Sequence, residues 1–256
     1  MSLPLSTRWA ILYALLLGAA GAPAAETPMA GVEAVLPTLA VTRVDRDLVL
    51  SGKADDPLWQ QAAVITLADA DTGASPLQAT TVRLLYSQKY LYVAYVCAAD
   101  TVRATLAKRD DPLYTEDVVE TFLAPSGSFR SFYEIEVSPL NTILDSYQLS
   151  YSLADGSYRK LYFNPAYTCD GLLTKVSVDG VLNQAHGSKS WTVEMAIPFT
   201  SIVGRDNIVP NPGDRWRANF GRIDFSAPDK PAFSSWSPLG GHDFNRSYRF
   251  GWIEFK

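Results

Sequence analysis

The sequence is poor in side chains that carry metals or nucleophilic chemistry. It holds two His and two Cys among 256 residues. That is too little for a zinc site built from Cys and His, and no C-x-x-C-H run exists to attach haem covalently. There is no G-x-S-x-G elbow, no H-E-x-x-H pair and no phosphate-cradling glycine loop. A basic excess is also missing: 22 Lys and Arg stand against 27 Asp and Glu, a formal net charge of −5. Such a chain lacks the positive field a nucleic-acid backbone needs, so no nucleic-acid partner is expected. Beyond the N-terminus no apolar run is long enough to cross a bilayer, so the mature chain is expected to have no membrane span. What the chain has in quantity is apolar and aromatic material, 47% and 12%. With 19% charged residues, this is the composition of a globular protein and excludes a disordered or collagen-like chain.

The N-terminus reads as a targeting segment. Arg8 precedes the apolar run Trp9–Gly18, and Ala22-Pro23-Ala24 follows as a small-residue cleavage site. This pattern predicts a secretory signal peptide over 1–24. No Cys follows the site, so no lipid can be attached there. Residues 25–37 are expected to form a flexible leader and 38–256 a single domain. The mature protein is then periplasmic or secreted. An oxidising compartment gives Cys97 and Cys169 a meaning: a single bridge between them is the economical reading. The closed loop of about 73 residues would contribute about 4 kcal/mol in the chain-entropy model. Two separate buried thiols are the alternative.

From Leu39 onward the pattern is of strands. Val82–Tyr86 and Leu91–Cys97 read as a hairpin turning at Ser87-Gln88-Lys89. Tyr133–Val137 alternates, as does Trp191–Ile197, with Trp191, Val193, Met195 and Ile197 on one face. Asp117–Leu123 reads as a buried strand with Glu120 inside it. Further strands are expected near 142–149, 158–163, 172–178, 214–222 and 250–255. Helical signals are limited to one turn at Asp55–Ala62, with Pro57 at the first helical position, and another at Pro198–Ile202. About ten short strands predict an all-β, antiparallel β-sandwich of jelly-roll type with one or two short helical turns.

His186 and His242 stand in polar, Gly-containing loops and read as bracing residues rather than general bases. Asp69-Ala-Asp71-Thr-Gly73 resembles the start of a calcium loop, but Gly73 comes one residue early and Thr80 stands where Glu is needed. An Asx-type turn is the competing reading. The aromatic count points elsewhere. Sugars present C–H faces to aromatic rings and hydroxyls to fixed polar groups, so exposed aromatics beside carboxylates suit a carbohydrate. Tyr114 stands in a loop just before the Glu120 strand, and Phe244 in the polar loop 240–246.

Gly52-Lys-Ala-Asp-Asp-Pro-Leu-Trp59, the 82–95 hairpin, Glu116-Asp-Val-Val-Glu-Thr-Phe122 and Trp191-Thr-Val-Glu-Met-Ala-Ile-Pro198 form a series. Trp216–Arg222, Trp236-Ser-Pro and Phe250-Gly-Trp-Ile-Glu-Phe255 continue it. In this order the chain, over about 45–256, resembles the family 9 carbohydrate-binding modules of xylanases and their stand-alone relatives. The resemblance implies a sandwich that holds a sugar between two aromatic rings, and structural calcium in some members. It places one ring at Tyr114, six residues before the strand Glu at Glu120, and the other at Phe244. Both are usually Trp in the family. The family's sugar-contacting Arg falls near Glu134, and its last-loop Asn near Gly241. Glu194 and Arg222 are expected in a charge network along the sheets rather than on ligand.

The sequence therefore predicts an exported domain that binds a poly- or oligosaccharide in carbohydrate catabolism through Tyr114, Glu120, Glu134 and Phe244, with no catalytic residue assigned. Three rivals stand beside it. One is an enzyme acting on O-glycosyl bonds. The second is a haem-binding electron-transfer relative using Met29, Met195, His186 or His242. The third is an envelope module with no small ligand.

Overall fold

The computed structural model describes residues 36–152, 158–164, 166–204 and 207–256. The expected signal peptide and most of the leader lie outside the described residues. The compact unit that carries the fold spans Glu33–Lys256.

Among the described residues fourteen strands build two packed sheets. The back sheet runs β10 (Leu173–Gly180), β11 (Ser188–Pro198), β5 (Tyr90–Ala98), β4 (Thr80–Tyr86), with the short β2 (Ala63–Thr66) on β4. The front sheet runs β14 (Gly251–Phe255), β12 (Arg215–Asp224), β6 (Val118–Ala124), β7 (Ser131–Val137), β8 (Ile143–Ser152), β9 (Tyr158–Asn164). Here β13 (Ala232–Ser235) pairs β12 and the two-residue β3 (Ala68–Asp69). β1 (Thr38–Arg43) joins the two sheets. Its first four residues pair β14 in parallel, and its last two pair β4 in parallel. The expected antiparallel sandwich is thus present, with one strand that switches sheets and supplies the parallel pairings.

Alternation decides what fills the space between the sheets. Trp191, Val193, Met195 and Ile197 all point inward and are fully buried. They meet Val119 and Leu123 of β6, Tyr133, Ile135 and Val137 of β7, and Trp216 and Phe220 of β12. Met195 has no exposed surface, and its sulfur accepts from the Thr121 hydroxyl at 3.7 Å. That placement removes it as an axial haem ligand, since freeing the sulfur would mean opening a close-packed core.

The helical turns are 3-10. Asp56 caps the turn Pro57–Gln61 by accepting from the Leu58 N–H at 2.9 Å, and Pro57 opens it. The second expected turn is Phe199–Ser201, and two more stand at Leu113–Thr115 and Ser247–Arg249. The opening signature is tied to the back sheet by one buried carboxylate. Glu194 accepts from the N–H groups of Ser51 (2.8 Å) and Gly52 (2.5 Å) and from Trp59 Nε1 at 2.8 Å. Gly52 sits at φ +83, where a Cβ would come within 2.8 Å of the Val176 backbone, so only glycine fits. Arg222 is buried between the sheets. It donates to the Thr80 hydroxyl, the Ala98 carbonyl and Asp224 at 2.8–3.1 Å. Both residues therefore serve the structural network expected of them.

The expected Cys97–Cys169 bridge is absent: both are buried free thiols. Register explains why. Cys97 lies opposite Trp191 on β11, whereas Leu173, just after Cys169, lies opposite Ala196. Five residues of strand, roughly 17 Å, separate the level of Cys97 from that of Leu173, four residues beyond Cys169. The two thiols also have different neighbours. Cys97 sits near Thr80 and Arg222, while the Cys169 N–H bonds to Asp145 at 2.6 Å. Burial pushes Cys97 up to about 11 and Cys169 up to about 12, so both behave as small apolar groups.

Candidate functional site

The outer face of the front sheet is not a solvent face. Strict alternation turns Glu120 and Phe122 of β6, Phe132, Glu134 and Glu136 of β7, and Leu144, Ser146 and Gln148 of β8 away from the inter-sheet core. A second apolar cluster covers them, built from Phe122, Phe132, Phe244, Phe250, Leu113 and Leu239 among others. Its cover comes from the loops around 110–116 and 236–250. Every residue of β6 is buried as a result.

Under this cover the sheet collects acid. Glu120 pairs directly with Glu136 across β6 and β7, and Glu134 pairs with Ser146 across β7 and β8. The three carboxylates each offer an oxygen within 4.8 Å of the others, and they are only 2–6% exposed. Ser146 Oγ donates to Glu134 Oε2 at 2.9 Å, and the Gln148 amide nitrogen donates to the same oxygen. Burial holds the Glu120 carboxyl well above the usual carboxylate range, and the charges of Glu134 and Asp243 push it the same way.

The front sheet brings Glu120 and Glu134 onto one face, but Phe244 does not stand open opposite Tyr114. Phe244 is 5% exposed and belongs to the second core. Its ring packs edge-on against Phe122 at 6.2 Å and Phe233 at 5.9 Å. It descends onto Gly221, where a Cβ would come within 2.8 Å of the ring. Gly221 is the β12 partner of Glu120. Phe244 therefore closes over the sheet instead of facing a ligand, and Glu120 is not the floor of an open groove. Glu134, on the same covered face, is 6% exposed. A closed cluster of this kind does not make a glycosidase pair, which must flank a polymer bond.

Tyr114 is placed differently. It stands on the 3-10 turn Leu113–Thr115, which Leu113 anchors in the second core, and it is 53% exposed. It lines a surface depression of about 110 Å³ with Asp110, Pro112, Leu144, Asp145 and the half-exposed Phe163 of β9. Next to it Arg109, part exposed, reaches the buried side chain of Asp145 with two contacts of 2.7 Å. The depression brings two aromatic rings, Tyr114 and Phe163, beside Asp110.

Glu136, Gln148 and Phe163 were not among the residues expected to matter. Glu136 had a readable signal, since it follows Glu134 by two on an alternating strand and so shares its face. Phe163 had none, because its strand pairs only through β8. Of the remaining candidates, Asp69 accepts from the Thr72 N–H at 2.8 Å and its hydroxyl at 2.7 Å, which makes the 69–73 segment an Asx-type turn. His242 stacks on Phe233 at 4.7 Å, and His186 is exposed and paired with Asp100 at 2.9 Å. Both brace loops.

The fold and this face define a β-sandwich of the carbohydrate-module type, with a covered acidic sheet and an exposed aromatic at its rim. The chain matches the family described as carbohydrate family 9 binding domain-like over residues 50–256. It belongs to that family. Among solved structures it is similar to a protein of Bacteroides uniformis ATCC 8492 provisionally described as carbohydrate-binding. That match has 18% identity and a TM-score of 0.63, covering 86% of this chain and all of that one. It is also similar to a family 9 carbohydrate-binding module of Caldicellulosiruptor kristjanssonii in complex with cellotriose. There the identity is 15% and the TM-score 0.54, with 86% and 94% of the chains covered. At these identities the likeness speaks for the fold. No curated protein sequence matches the chain.

Proposed function

We propose that this protein is an exported binding domain for a poly- or oligosaccharide, serving carbohydrate catabolism, and that it binds at the Tyr114 depression rather than between Tyr114 and Phe244. The observation that carries this reading is the exposure of Tyr114 on an anchored turn, beside Phe163 and the Arg109–Asp145 pair. A ring held this way offers a stacking face without unfolding anything, and the part-exposed Arg109 guanidinium, fixed by the buried Asp145, offers a donor for hydroxyls. Family membership over residues 50–256 supports the ligand class. The relative from Caldicellulosiruptor kristjanssonii carries cellotriose, which makes β-linked glucans the first ligands to try.

Export rests on Arg8, the Trp9–Gly18 run and the Ala22-Pro23-Ala24 site. Among the described residues no helix is long and apolar enough to cross a membrane. Intact mass of the product from the full gene, with cell fractionation, tests this: a chain starting near Ala25 outside the cytoplasm agrees, and an uncleaved chain in the membrane does not. Binding itself is tested on the chain from Ala25 onward with a glycan array, followed by titration calorimetry of the best ligand.

A further inference from the structure

We infer that Arg215 and Arg217, stacked on Trp252, form a binding site for the carboxylate of an acidic saccharide, a uronic acid. The site lies on β12 and β14, with β6 and β7 between it and the β8 side of the Tyr114 depression. The anion site stands by itself; that a sugar carries the anion rests on the carbohydrate reading.

Three observations carry it. The first is alternation. Trp216, Ala218 and Phe220 of β12 and Ile253 and Phe255 of β14 fill the core between the sheets. Arg215, Arg217, Trp252 and Glu254 therefore share the outer face. Arg217 is the register partner of Trp252, and Arg215 of Glu254. Both guanidiniums stand over the Trp252 ring, Arg215 at 4.6 Å and Arg217 at 4.7 Å, and Arg217 also lies 5.9 Å from the Phe129 ring. The second is how Arg217 is held. Its Nη1 donates to the carbonyls of Tyr248 and Phe250, each at 3.3 Å. Its Nε is buried without a hydrogen-bond partner. Anchoring Nη1 leaves the other side of the fork, Nε–H and Nη2–H, as two parallel donors of the spacing a carboxylate accepts. The third is charge. Register sets two cations on one ring, and burial and the Arg215 charge both disfavour the charge on Arg217. Glu254, opposite Arg215, is bonded to Lys256, and among the described residues no carboxylate bonds Arg217. A bound anion would relieve that repulsion and fill the fork.

The donor set selects the ligand. A planar anion with two oxygens matches a guanidinium fork point for point, which a lysine ammonium could not offer. The walls select what carries the anion. Trp252 and Phe129 are part-exposed aromatics, and such surface suits the C–H groups of a pyranose, whereas a bare phosphate would use none of it. A uronic acid has both parts, a carboxylate fixed directly on a sugar ring. Arg215 is exposed, so its guanidinium can close on the same anion from the solvent side.

The test uses the chain from Ala25 onward, titrated by calorimetry at neutral pH with oligogalacturonate, its methyl ester, cellotriose and inorganic phosphate. Oligogalacturonate should bind about tenfold or more tightly than its ester, which keeps the sugar and loses the charge. It should beat phosphate, which keeps charge and loses the sugar, by a similar factor. Added sodium chloride should weaken the acid and leave the ester unchanged. Arg217→Ala and Arg217→Lys should each weaken the acid about tenfold or more, since neither keeps the fork. Arg215→Ala should weaken it several-fold with an unchanged melting temperature, and this exposed position decides the matter if the Arg217 variants fail to fold. Tyr114→Ala should leave the preference for acid over ester intact. An ester that binds as tightly as the acid, or Arg variants that bind the acid like wild type, would overturn the inference and leave the carbohydrate reading standing. Phosphate binding as tight as that of the acid would overturn the assignment to a sugar. Acid binding lost in the Arg variants, with no binding of ester or cellotriose, would support this site and count against the one at Tyr114. Binding of none of the four would overturn the inference outright.

Discussion

Phe244 rests on Gly221 so closely that a Cβ at 221 would come within 2.8 Å of its ring. This contact decides the character of the front sheet. It drives an aromatic that the sequence offers as a sugar clamp into the second core, and it seals the strand next to Glu120. Phe244→Ala should therefore act on stability, at a cost of about 3–5 kcal/mol by denaturant unfolding. Gly221→Ala should also destabilise, because the new methyl must displace the ring. A Phe244→Ala variant as stable as wild type would contradict this packing.

Trp59 and Glu194 are bonded at 2.8 Å across the chain from the opening signature to β11. Trp59→Phe keeps most of the apolar volume and removes this hydrogen bond to a charged acceptor. A loss of roughly 1.5–3 kcal/mol is expected. Glu194→Gln should also destabilise, because Ser51 and Gly52 donate to the same carboxylate. Chemical denaturation of the two variants checks both statements.

Asp117 gives a pH dependence with a definite sign. Burial pushes its carboxyl up to about 6, from an ordinary 3.8, although the Arg103 N–H donates to it. The folded state therefore holds this proton more tightly than the unfolded one. Its contribution is intact below about pH 4 and is lost as pH rises through 6, by roughly 3 kcal/mol. The stability difference between Asp117→Asn and wild type should therefore shift in favour of the variant between pH 4 and 7. Equal pH profiles for the two proteins would refute the assignment.

The thiols offer a chemical check. Native protein should react with no thiol reagent on the timescale of minutes, and denatured protein with two equivalents, without a reductant. Denatured, unreduced protein that shows no free thiol would instead mean a bridge.

Much of the fold was readable because period-two patterns are local. The alternation of Trp191, Val193, Met195 and Ile197 fixed one face of β11, and Asp56-Pro57 marked a capped turn. Glu194 and Arg222 were readable as network residues because a charge inside a strand pattern needs a partner. Three things were not local. β1 changes sheets midway, which no run of six residues announces. The outer face of β7 alternates as if half exposed, yet the nearby loop at 110–116 and the distant one at 236–250 bury it. Phe244 lies in a polar stretch, and only the space above Gly221 shows that its ring turns inward. The cysteines failed for the same reason: export argues for a bridge, but register along β11 keeps the thiols apart.

The central claim is that this sandwich binds carbohydrate through the rim at Tyr114. The direct measurement is titration calorimetry of the Ala25–Lys256 chain against β-glucan oligosaccharides and the best array ligand, alongside Tyr114→Ala. Loss of one stacking ring, worth about 1 kcal/mol, should weaken affinity about fivefold or more while leaving the melting temperature unchanged. Saturable binding that weakens in Tyr114→Ala is the predicted result. Binding of no saccharide, or equal binding by both proteins, would contradict the account.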